Sequence, residues 1–419
     1  MKTMIAVDEA LAMIRACCTP LPSERIALAQ AGERVLAEAI DAPRALPPFD
    51  NSAMDGFALR WREDLAEGSE LAVLAEQAAG DGIAGQSDGA CSIMTGARLP
   101  DGLDTVVPVE DCTVTARDPA GAALSIRLSI TPRSGQHVRH AGEDVATGER
   151  VLDAGTRLNQ EAVMVLRGIG IGEVDVRRRP RLALACTGRE LVDTDGAALA
   201  PGQIANTNGP YLAQLFTDAG AEVVERVTVP DEPEALATLL ARWLDAGIEL
   251  VVTTGAVSMG RYDFVPYVLR AAGAELRFHK LKMRPGKPLL FATAGRGTLV
   301  FGLPGNPVSS AVGARFHVDA ALRALAGQPP ETALRLPLAA DASKKPGFTM
   351  IQKAALVLNA QGQLQVQLLK GQESFKTAPL LRARVWALLP EDASTLPAGT
   401  RVPIFPLRPH GASFDGLTQ

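Results

Sequence analysis

Apolar runs alternate with amphipathic stretches through residues 181–326 of the chain. The apolar runs are short and continuous, as in strands buried on both faces of a sheet, and the amphipathic stretches repeat at helical spacing. Strands are predicted at Leu182–Ala185, Glu222–Val229, Leu250–Thr253, Glu275–Phe278, Pro288–Ala292 and Thr298–Phe301. Four helices are predicted: Gly209–Ala219, one that begins at Pro233, one that ends near Ala272, and Pro307–Leu325. Strands that alternate with helices predict a doubly wound, mostly parallel α/β domain.

The pattern changes on both sides of this domain. Residues 8–18 and Leu28–Ala39 have the apolar spacing of helices. Between Leu71 and Ile130, short apolar runs alternate with Gly and Asp turns, which predicts a β-rich lobe. After the breaker at residues 327–330, further short apolar runs predict a small β domain, with Asn359–Gly362 as a hairpin turn. The sequence therefore predicts an α/β multidomain protein.

Glycine-containing loops follow several of the predicted strands. They are Gly255–Asp263, Met283–Pro288 and Gly302–Pro307. In open α/β sheets, ligands bind at the carboxyl ends of the strands, where backbone N–H groups favour anions. The three loops together predict one crevice that handles phosphate.

Composition narrows the class of protein. The chain has 419 residues, 47% of them hydrophobic, which is enough for several ordinary cores. A net charge of −5 and an aromatic content of 4% argue against a nucleic-acid-binding protein. No apolar run is long enough for a membrane span or a signal peptide. Five scattered cysteines without zinc spacing favour free thiols, and hence a cytoplasmic protein.

Two polar stretches in the first half carry candidate chemistry. Residues 50–57 are small and polar between two phenylalanines. This stretch is either an Asx-type turn that caps a helix or a loop that presents Asp55 to a ligand or metal. Residues 133–144 combine bases, two histidines and two acids. They form either an exposed polar loop or, through Asp144, part of an anion or metal site; His137 and His140 alone are a weak metal pair.

Six motifs, in order along nearly the whole chain, match those of a known family. They are Pro48–Phe57, Ile93–Ala97, Gly142–Asp144, Thr254–Gly260, Arg284–Pro288 and Gly302–Ser309. In these motifs the chain resembles molybdopterin molybdenumtransferase, the MoeA / gephyrin E-domain family. One glycine loop would be weak evidence, whereas six motifs with family spacing are specific.

The resemblance implies an architecture and an activity. The architecture is a linker domain in two segments (1–46 and 141–178), a β-rich lobe (47–140), the α/β molybdopterin-binding domain (179–327) and a C-terminal β-barrel-like domain (328–419). The activity is insertion of molybdate into adenylylated molybdopterin with release of AMP, assisted by Mg²⁺. The family also implies a homodimer whose active site lies between subunits, and an adenylyltransferase as partner.

Both substrates are anions, so bases and backbone donors should bind them. Arg284 and Lys287 lie in the turn itself, whereas Lys280 and Lys282 lie on a strand whose alternate residues point to opposite faces. The substrate-binding residues implied by the family are Thr95, Gly255, Ser258, Arg284, Lys287, Pro304, Gly305, Asn306 and Ser309.

The acids need a cation beside them, because carboxylates repel an anionic substrate. Magnesium held by one or two carboxylates and by substrate phosphates resolves the conflict. The family implies Asp55, Asp144, Glu190, Asp231 and Asp263 as catalytic residues, with Asp55, Glu190 and Asp231 as metal ligands. Asp231 is equally explained as a helix N-cap, and Asp263 lies at a predicted helix start.

Departures from the family pattern leave alternatives open. Arg189 stands where many members have an acid, and Arg284 where many have lysine. Lys353 and Ser374 match ligand-contacting positions only loosely. These changes could favour tungstate over molybdate. The alternative functions are a non-catalytic scaffold and a molybdopterin adenylyltransferase-like protein.

Overall fold

The computed structural model describes residues 1–82, 89–194, 196–256 and 264–409. Its contacts divide the chain into two compact units. The larger unit contains Met1–Glu24 and Arg177–Gln419, and the smaller unit contains Arg25–Val176. None of the helices in the described ranges is long and apolar enough to cross a bilayer.

A seven-stranded sheet organises the larger unit. In spatial order its strands are Lys2–Ile5, Glu275–Leu281, Leu290–Ala294, Thr298–Leu303, Leu250–Thr254, Arg181–Thr187 and Glu222–Val229. Only the strand Leu290–Ala294 runs antiparallel to its neighbours. The predicted mostly parallel α/β sheet is therefore confirmed. The amino-terminal strand Lys2–Ile5 at its edge was not predicted.

Helices cover both faces of this sheet. They are Val7–Ala16, Asn208–Asp218, Pro233–Asp245, Val265–Ala271, Pro307–Gly313 and Asp319–Leu325, the last two joined by a π-helical turn at Ala314–Val318. Alternate residues of a strand enter different cores, as the pleat requires. Leu184 packs in the core that contains Phe216, whereas Ala185 packs in the core that contains Trp243.

The end of the larger unit is a β domain, as predicted. Its main sheet contains Met283–Arg284, Leu334–Pro337, Thr349–Leu358, Leu364–Leu368, Val385–Leu389 and Arg401–Pro406. Smaller elements of this domain are the strand pair Ala342–Ser343 with Thr395–Leu396 and the 3-10 turn Ala378–Leu381. A further strand pair, Leu191–Val192 with Ile204–Ala205, lies in the α/β part of the chain. The predicted hairpin turn at Asn359 is confirmed, because its side chain accepts hydrogen bonds from the N–H groups of Gln361 and Gln363.

The smaller unit contains the predicted β-rich lobe. Its six-stranded sheet has the order Thr105–Pro108, Gly56–Leu59, Ala90–Ile93, Glu70–Gln77, Ala123–Leu128 and Cys112–Arg117. Shorter pairs are Asn51–Ser52 with Val138–Arg139, Ile40–Asp41 with Arg150–Leu152, and Ser23–Ala27 with Glu173–Arg177. The helix Gln160–Gly168 is capped by the Asn159 side chain, and the 3-10 turns are Leu28–Gln30 and Val109–Asp111.

The helix predicted at Leu28–Ala39 is wrong. Only the 3-10 turn Leu28–Gln30 forms there, and Gly32 follows it. The backbone N–H of Glu33 donates to Leu158, and that of Leu36 donates to Thr156, so distant carbonyls replace the helical partners. Long-range pairing has overridden a local apolar spacing, which is a weak determinant on its own.

His317, in the π-helical turn, makes the stability of the larger unit depend on pH. Its side chain is fully buried, and neither ring nitrogen makes a hydrogen bond of normal geometry with another described residue. Burial lowers the pKa of His317 from 6.5 to about 4, which a weaker contact with the Gly313 backbone only partly opposes. The native protein therefore excludes a proton that the unfolded chain accepts.

We expect this histidine to destabilise the protein as the pH falls from 6.5 to 4. Above that window the imidazole is neutral in both states, so it does not make stability depend on pH. Within it only the unfolded chain gains a proton, so the free energy of unfolding falls by up to about 3 kcal/mol. Urea unfolding across this range should show a shallower pH dependence for His317→Leu than for the wild type. Equal slopes would contradict the prediction.

Candidate functional site

Strands of the large sheet end side by side. In the register of the parallel strands, Cys186 lies opposite Thr254, and Thr254 lies opposite Leu303. The loops that follow these strands therefore begin at one edge of the sheet, the edge where open α/β sheets bind ligands. Gly255 and the glycine loop, which we define as Gly302–Asn306, both lie there.

Gly255 allows two strand ends to approach closely. Its φ is +91°, and a Cβ atom there would lie 2.6 Å from Thr187 Oγ1 and 2.7 Å from the Thr187 carbonyl oxygen. Its N–H donates to the Leu303 carbonyl at 3.0 Å. Only glycine fits both the positive φ and the contact. The backbone at Gly255 is therefore held between Thr187 and Leu303, which end the two neighbouring strands.

The glycine loop is fixed by hydrogen bonds from helices. The Asn208 side chain donates to the Gly305 carbonyl at 2.7 Å, and the Ser310 hydroxyl donates to the Pro304 carbonyl. Pro304 is buried, whereas Gly305 and Asn306 are exposed. Ser309 is also buried, at 5% exposure. The exposed backbone at Gly305 and Asn306 is thus the part of the loop that a ligand can reach.

A basic turn, which we define as Met283–Lys287, lies beside the helix that follows this loop. A Cβ atom on Gly286, whose φ is +99°, would lie 3.5 Å from the Ser309 carbonyl oxygen. The N–H of Leu281 donates to the Lys287 carbonyl at 2.8 Å, which closes the turn. Two of the predicted substrate-binding segments therefore lie next to each other.

The cations of this region differ in their partners. Lys282 forms an ion pair with Glu391 at 2.8 Å. Arg284 and Lys287 pair with no carboxylate in the part of the chain that the structure describes; both cations instead face the ring of Phe348. Their charge is therefore not neutralised, which supports the choice of Arg284 and Lys287 over Lys282.

Two predicted acids of the larger unit follow neighbouring strands. The N–H of Gly188 donates to the Val229 carbonyl at 3.1 Å, which ties the turn containing Glu190 to the strand that precedes Asp231. Glu190 is exposed and Asp231 is half-buried. The N-cap interpretation of Asp231 is wrong, because the helix begins at Pro233 with Glu232 as its N-cap. The predicted residues Ser258 and Asp263 lie outside the described residues.

Asp55 and Thr95, both of the smaller unit, are brought together. The backbone N–H and the hydroxyl of Thr95 donate to Asp55 Oδ1 at 2.6 and 2.8 Å. These bonds, the backbone one foremost, lower the pKa of Asp55 below its usual value, so the exposed carboxylate stays ionised. Residues 50–57 form strands and a turn rather than capping a helix. The helix-capping alternative is therefore wrong, and a ligand or metal role for Asp55 stays a prediction.

Asp144, in the same unit, is exposed, and its N–H donates to the Leu46 carbonyl at 3.0 Å. The turn before it is held by Asp50, which accepts the Ala141 N–H at 2.7 Å and contacts His140 at 3.3 Å. The hydrogen bond from Ala141, more than the contact with His140, lowers the pKa of Asp50. Asp50 was not selected from the sequence, although it stands five residues before Asp55.

Lys353 and Ser374, which match ligand-contacting positions only loosely, lie in the β domain. Lys353 is fully buried, and its ammonium group donates to the carbonyls of Lys376 at 3.0 Å and Glu373 at 3.5 Å. Burial lowers its pKa. The Ser374 carbonyl accepts the N–H of Val308 at 2.9 Å, beside the glycine loop. Lys353 therefore holds a loop of the protein together. No sequence signal indicated this role.

Comparisons with known proteins identify the family. A molybdopterin molybdenumtransferase of Synechococcus elongatus is 38% identical over 394 residues, which span 92% of this chain and 94% of the relative. The chain belongs to the MoeA family. A second member of that name, from Haemophilus influenzae, is 33% identical over 96% of this chain and 98% of its own. The crystal structure of the molybdopterin biosynthesis moeA protein from Pyrococcus horikoshii OT3 has a TM-score of 0.78 and 27% identity, covering 96% of this chain and 99% of that one.

Three family models match successive parts of the chain and divide the candidate residues into three groups. The MoeA N-terminal region (domain I and II) matches residues 5–170, which include Asp55, Thr95 and Asp144. The probable molybdopterin binding domain matches 183–324, which include the glycine loop and the basic turn. The MoeA C-terminal region (domain IV) matches 335–407, which include Phe348 and Lys353.

Proposed function

We propose that this protein transfers molybdenum to molybdopterin in the biosynthesis of the molybdenum cofactor. Its relatives named molybdopterin molybdenumtransferase support this activity. The observation that carries the proposal is the pair Arg284 and Lys287, two cations without a carboxylate partner among the described residues, in a turn whose Gly286 approaches Ser309 of the helix that follows the glycine loop. Such a surface fits an anionic substrate.

We further propose that the substrate is adenylylated molybdopterin and that AMP is released. Cleavage of its phosphoanhydride adds the elements of water across the bond and leaves negative charge on the departing phosphate. Arg284 can bind two phosphate oxygens at once, and Lys287 adds a second positive charge. The exposed backbone at Gly305 and Asn306 lets the phosphate approach. Stabilisation of that charge is the contribution these residues make.

The acids fit a magnesium ion by their chemistry. Carboxylate oxygens are the ligands that Mg²⁺ prefers, and it commonly takes one or two from the protein and the rest from phosphates and water. Within the described residues no group of three or more acids, histidines or cysteines forms a metal cluster. Glu190 and Asp231 would hold the ion in the larger unit, and Asp55 has Oδ2 outside its bonds to Thr95. Bound Mg²⁺ would neutralise charge between Glu190, Asp231 and the phosphates. Asp55 stays a proposed metal ligand of the smaller unit, and Asp144 and Asp263 are proposed as further catalytic acids.

The test is AMP release from adenylylated molybdopterin in the presence of Mg²⁺ and molybdate. We expect Arg284→Ala and Lys287→Ala each to lower kcat/KM by about 100-fold, because each removes an anion-binding group. Lys282→Ala is the matched control: it removes a cation of the same segment that Glu391 already neutralises, so we expect less than about a threefold change.

Two outcomes would contradict the proposal. One is AMP release that does not depend on molybdate and is unchanged in the Arg284 and Lys287 variants. The other is an equal effect of all three substitutions, which would indicate a general loss of positive charge. A homodimeric active site and an adenylyltransferase partner stay predictions from the family resemblance. The cytoplasmic location, which was predicted from the cysteines, and a preference for tungstate, which was predicted from departures from the family pattern, also stay predictions.

A further inference from the structure

The ring of Phe348 contacts both cations of the basic turn. The guanidinium carbon of Arg284 lies 4.4 Å from the ring centroid, and Lys287 Nζ lies 5.6 Å from it. Phe348 is half-buried and belongs to the β domain, more than sixty residues further along the chain. One aromatic side chain therefore contacts the two cations that the proposed function needs.

Backbone contacts hold Phe348 in place on both sides. The N–H of Thr349 donates to the Lys282 carbonyl at 2.8 Å, and Thr349 pairs with Met283 in a parallel ladder. The N–H of Gly347 donates to the Glu391 carbonyl at 2.8 Å. The ring is thus carried by backbone that is itself bonded to the strand entering the basic turn.

The contact matters because two like charges close together repel each other. Glu391, the nearby carboxylate, is engaged with Lys282 rather than with the turn. The electron-rich face of an aromatic ring attracts cations without neutralising them. A ring can therefore restrain Arg284 and Lys287 while leaving their full charge for a ligand, which a carboxylate could not do.

We propose that Phe348 is a positioning residue that holds Arg284 and Lys287 as a fixed pair for a ligand with at least two negative charges. This inference rests on the proposed function for its substrate, a phosphoanhydride. Without the ring, the two side chains would spread apart, and each binding event would have to order them again. A leucine would fill the space but would not attract the cations.

The test compares Phe348→Leu with Phe348→Tyr. We expect the leucine variant to raise KM for adenylylated molybdopterin about tenfold with little change in kcat, and the tyrosine variant, which keeps the ring, to stay close to wild type. Binding of inorganic pyrophosphate, measured by calorimetry, should weaken by a similar factor in the leucine variant. In a protein that already carries Arg284→Ala and Lys287→Ala, adding Phe348→Leu should change neither KM nor pyrophosphate affinity further.

These readouts separate the inference from the proposed function. If the wild type releases no AMP, the proposed function fails. Pyrophosphate binding would still test whether the Phe348 ring positions Arg284 and Lys287. The inference would be overturned if Phe348→Leu left KM and pyrophosphate affinity at their wild-type values. It would also be overturned if Phe348→Leu changed them as much in the Arg284→Ala/Lys287→Ala background as in the wild type. Equal losses in the leucine and tyrosine variants would also overturn it. If the leucine variant does not fold, Phe348→Met replaces it in the same comparison.

Discussion

Replacing Gly255 by alanine is expected to lower AMP release by at least about 100-fold and to destabilise the larger unit. The new Cβ atom would lie 2.6 Å from Thr187 Oγ1 and 2.7 Å from the Thr187 carbonyl, where backbone cannot give way cheaply. The φ of +91° adds strain of about 1–3 kcal/mol for a non-glycine residue. Relief of the clash requires the strand ends to separate, and a displacement of ~1 Å at a reacting centre can cost about 100-fold in rate.

A second glycine, Gly220, separates the effect of the steric clash from the effect of the backbone strain. Gly220 has a φ of +96°, but a Cβ atom there would meet nothing within 4 Å. Gly220→Ala therefore reproduces the backbone strain without the clash, and we expect a modest fall in Tm with nearly unchanged activity. Gly255→Ala should lose activity at temperatures well below its own Tm. Similar activity in the two variants would show that the clash is absorbed without moving the site.

Replacing Arg315 by methionine is expected to lower the free energy of unfolding by about 3–5 kcal/mol. The side chain is 1% exposed, and its guanidinium donates to both Glu331 carboxylate oxygens at 2.6 and 2.8 Å and to the Pro406 carbonyl at 3.1 Å. Burial alone would lower its pKa, but Glu331 and Asp319 raise it, so the group stays charged. Methionine would leave the Glu331 carboxylate, whose side chain is only 17% exposed, without the guanidinium that neutralises it.

Thermal and urea unfolding measure this loss. An exposed pair provides the control: Arg127→Met breaks the ion pair with Glu70, whose side chains are 54% and 56% exposed, and we expect a cost below about 1 kcal/mol. The double variant Arg315→Met/Glu331→Gln should be less destabilised than the sum of the single variants, because it also removes the orphaned charge. An Arg315→Met cost no larger than that of Arg127→Met would refute the prediction.

Local sequence determined the architecture of the large sheet and several elements around it. The buried strand Leu250–Thr254 and the helix Val7–Ala16 follow from apolar runs and apolar spacing that are close in the chain. The same local signals placed glycine loops at strand ends. Since parallel strands end at one edge, the sequence predicted that these loops begin side by side.

Tertiary structure alone decided features whose partners are remote in sequence. The apolar spacing after Leu28 predicted a helix, but carbonyls more than a hundred residues away took its hydrogen bonds. The strand Lys2–Ile5 forms because a distant strand edge pairs with it. Propensity acts within a few residues, whereas a sheet edge can recruit any segment that reaches it.

The same distinction applies to the charges of the site. The sequence identified Lys282, Arg284 and Lys287 as one basic segment and favoured the two in the turn. Only the fold showed that Glu391 pairs with Lys282 and that the ring of Phe348 lies against the other two cations. Residue type sets which charges a chain has. Which of them remain available to a ligand depends on through-space partners, since electrostatic and aromatic contacts follow distance and not chain order.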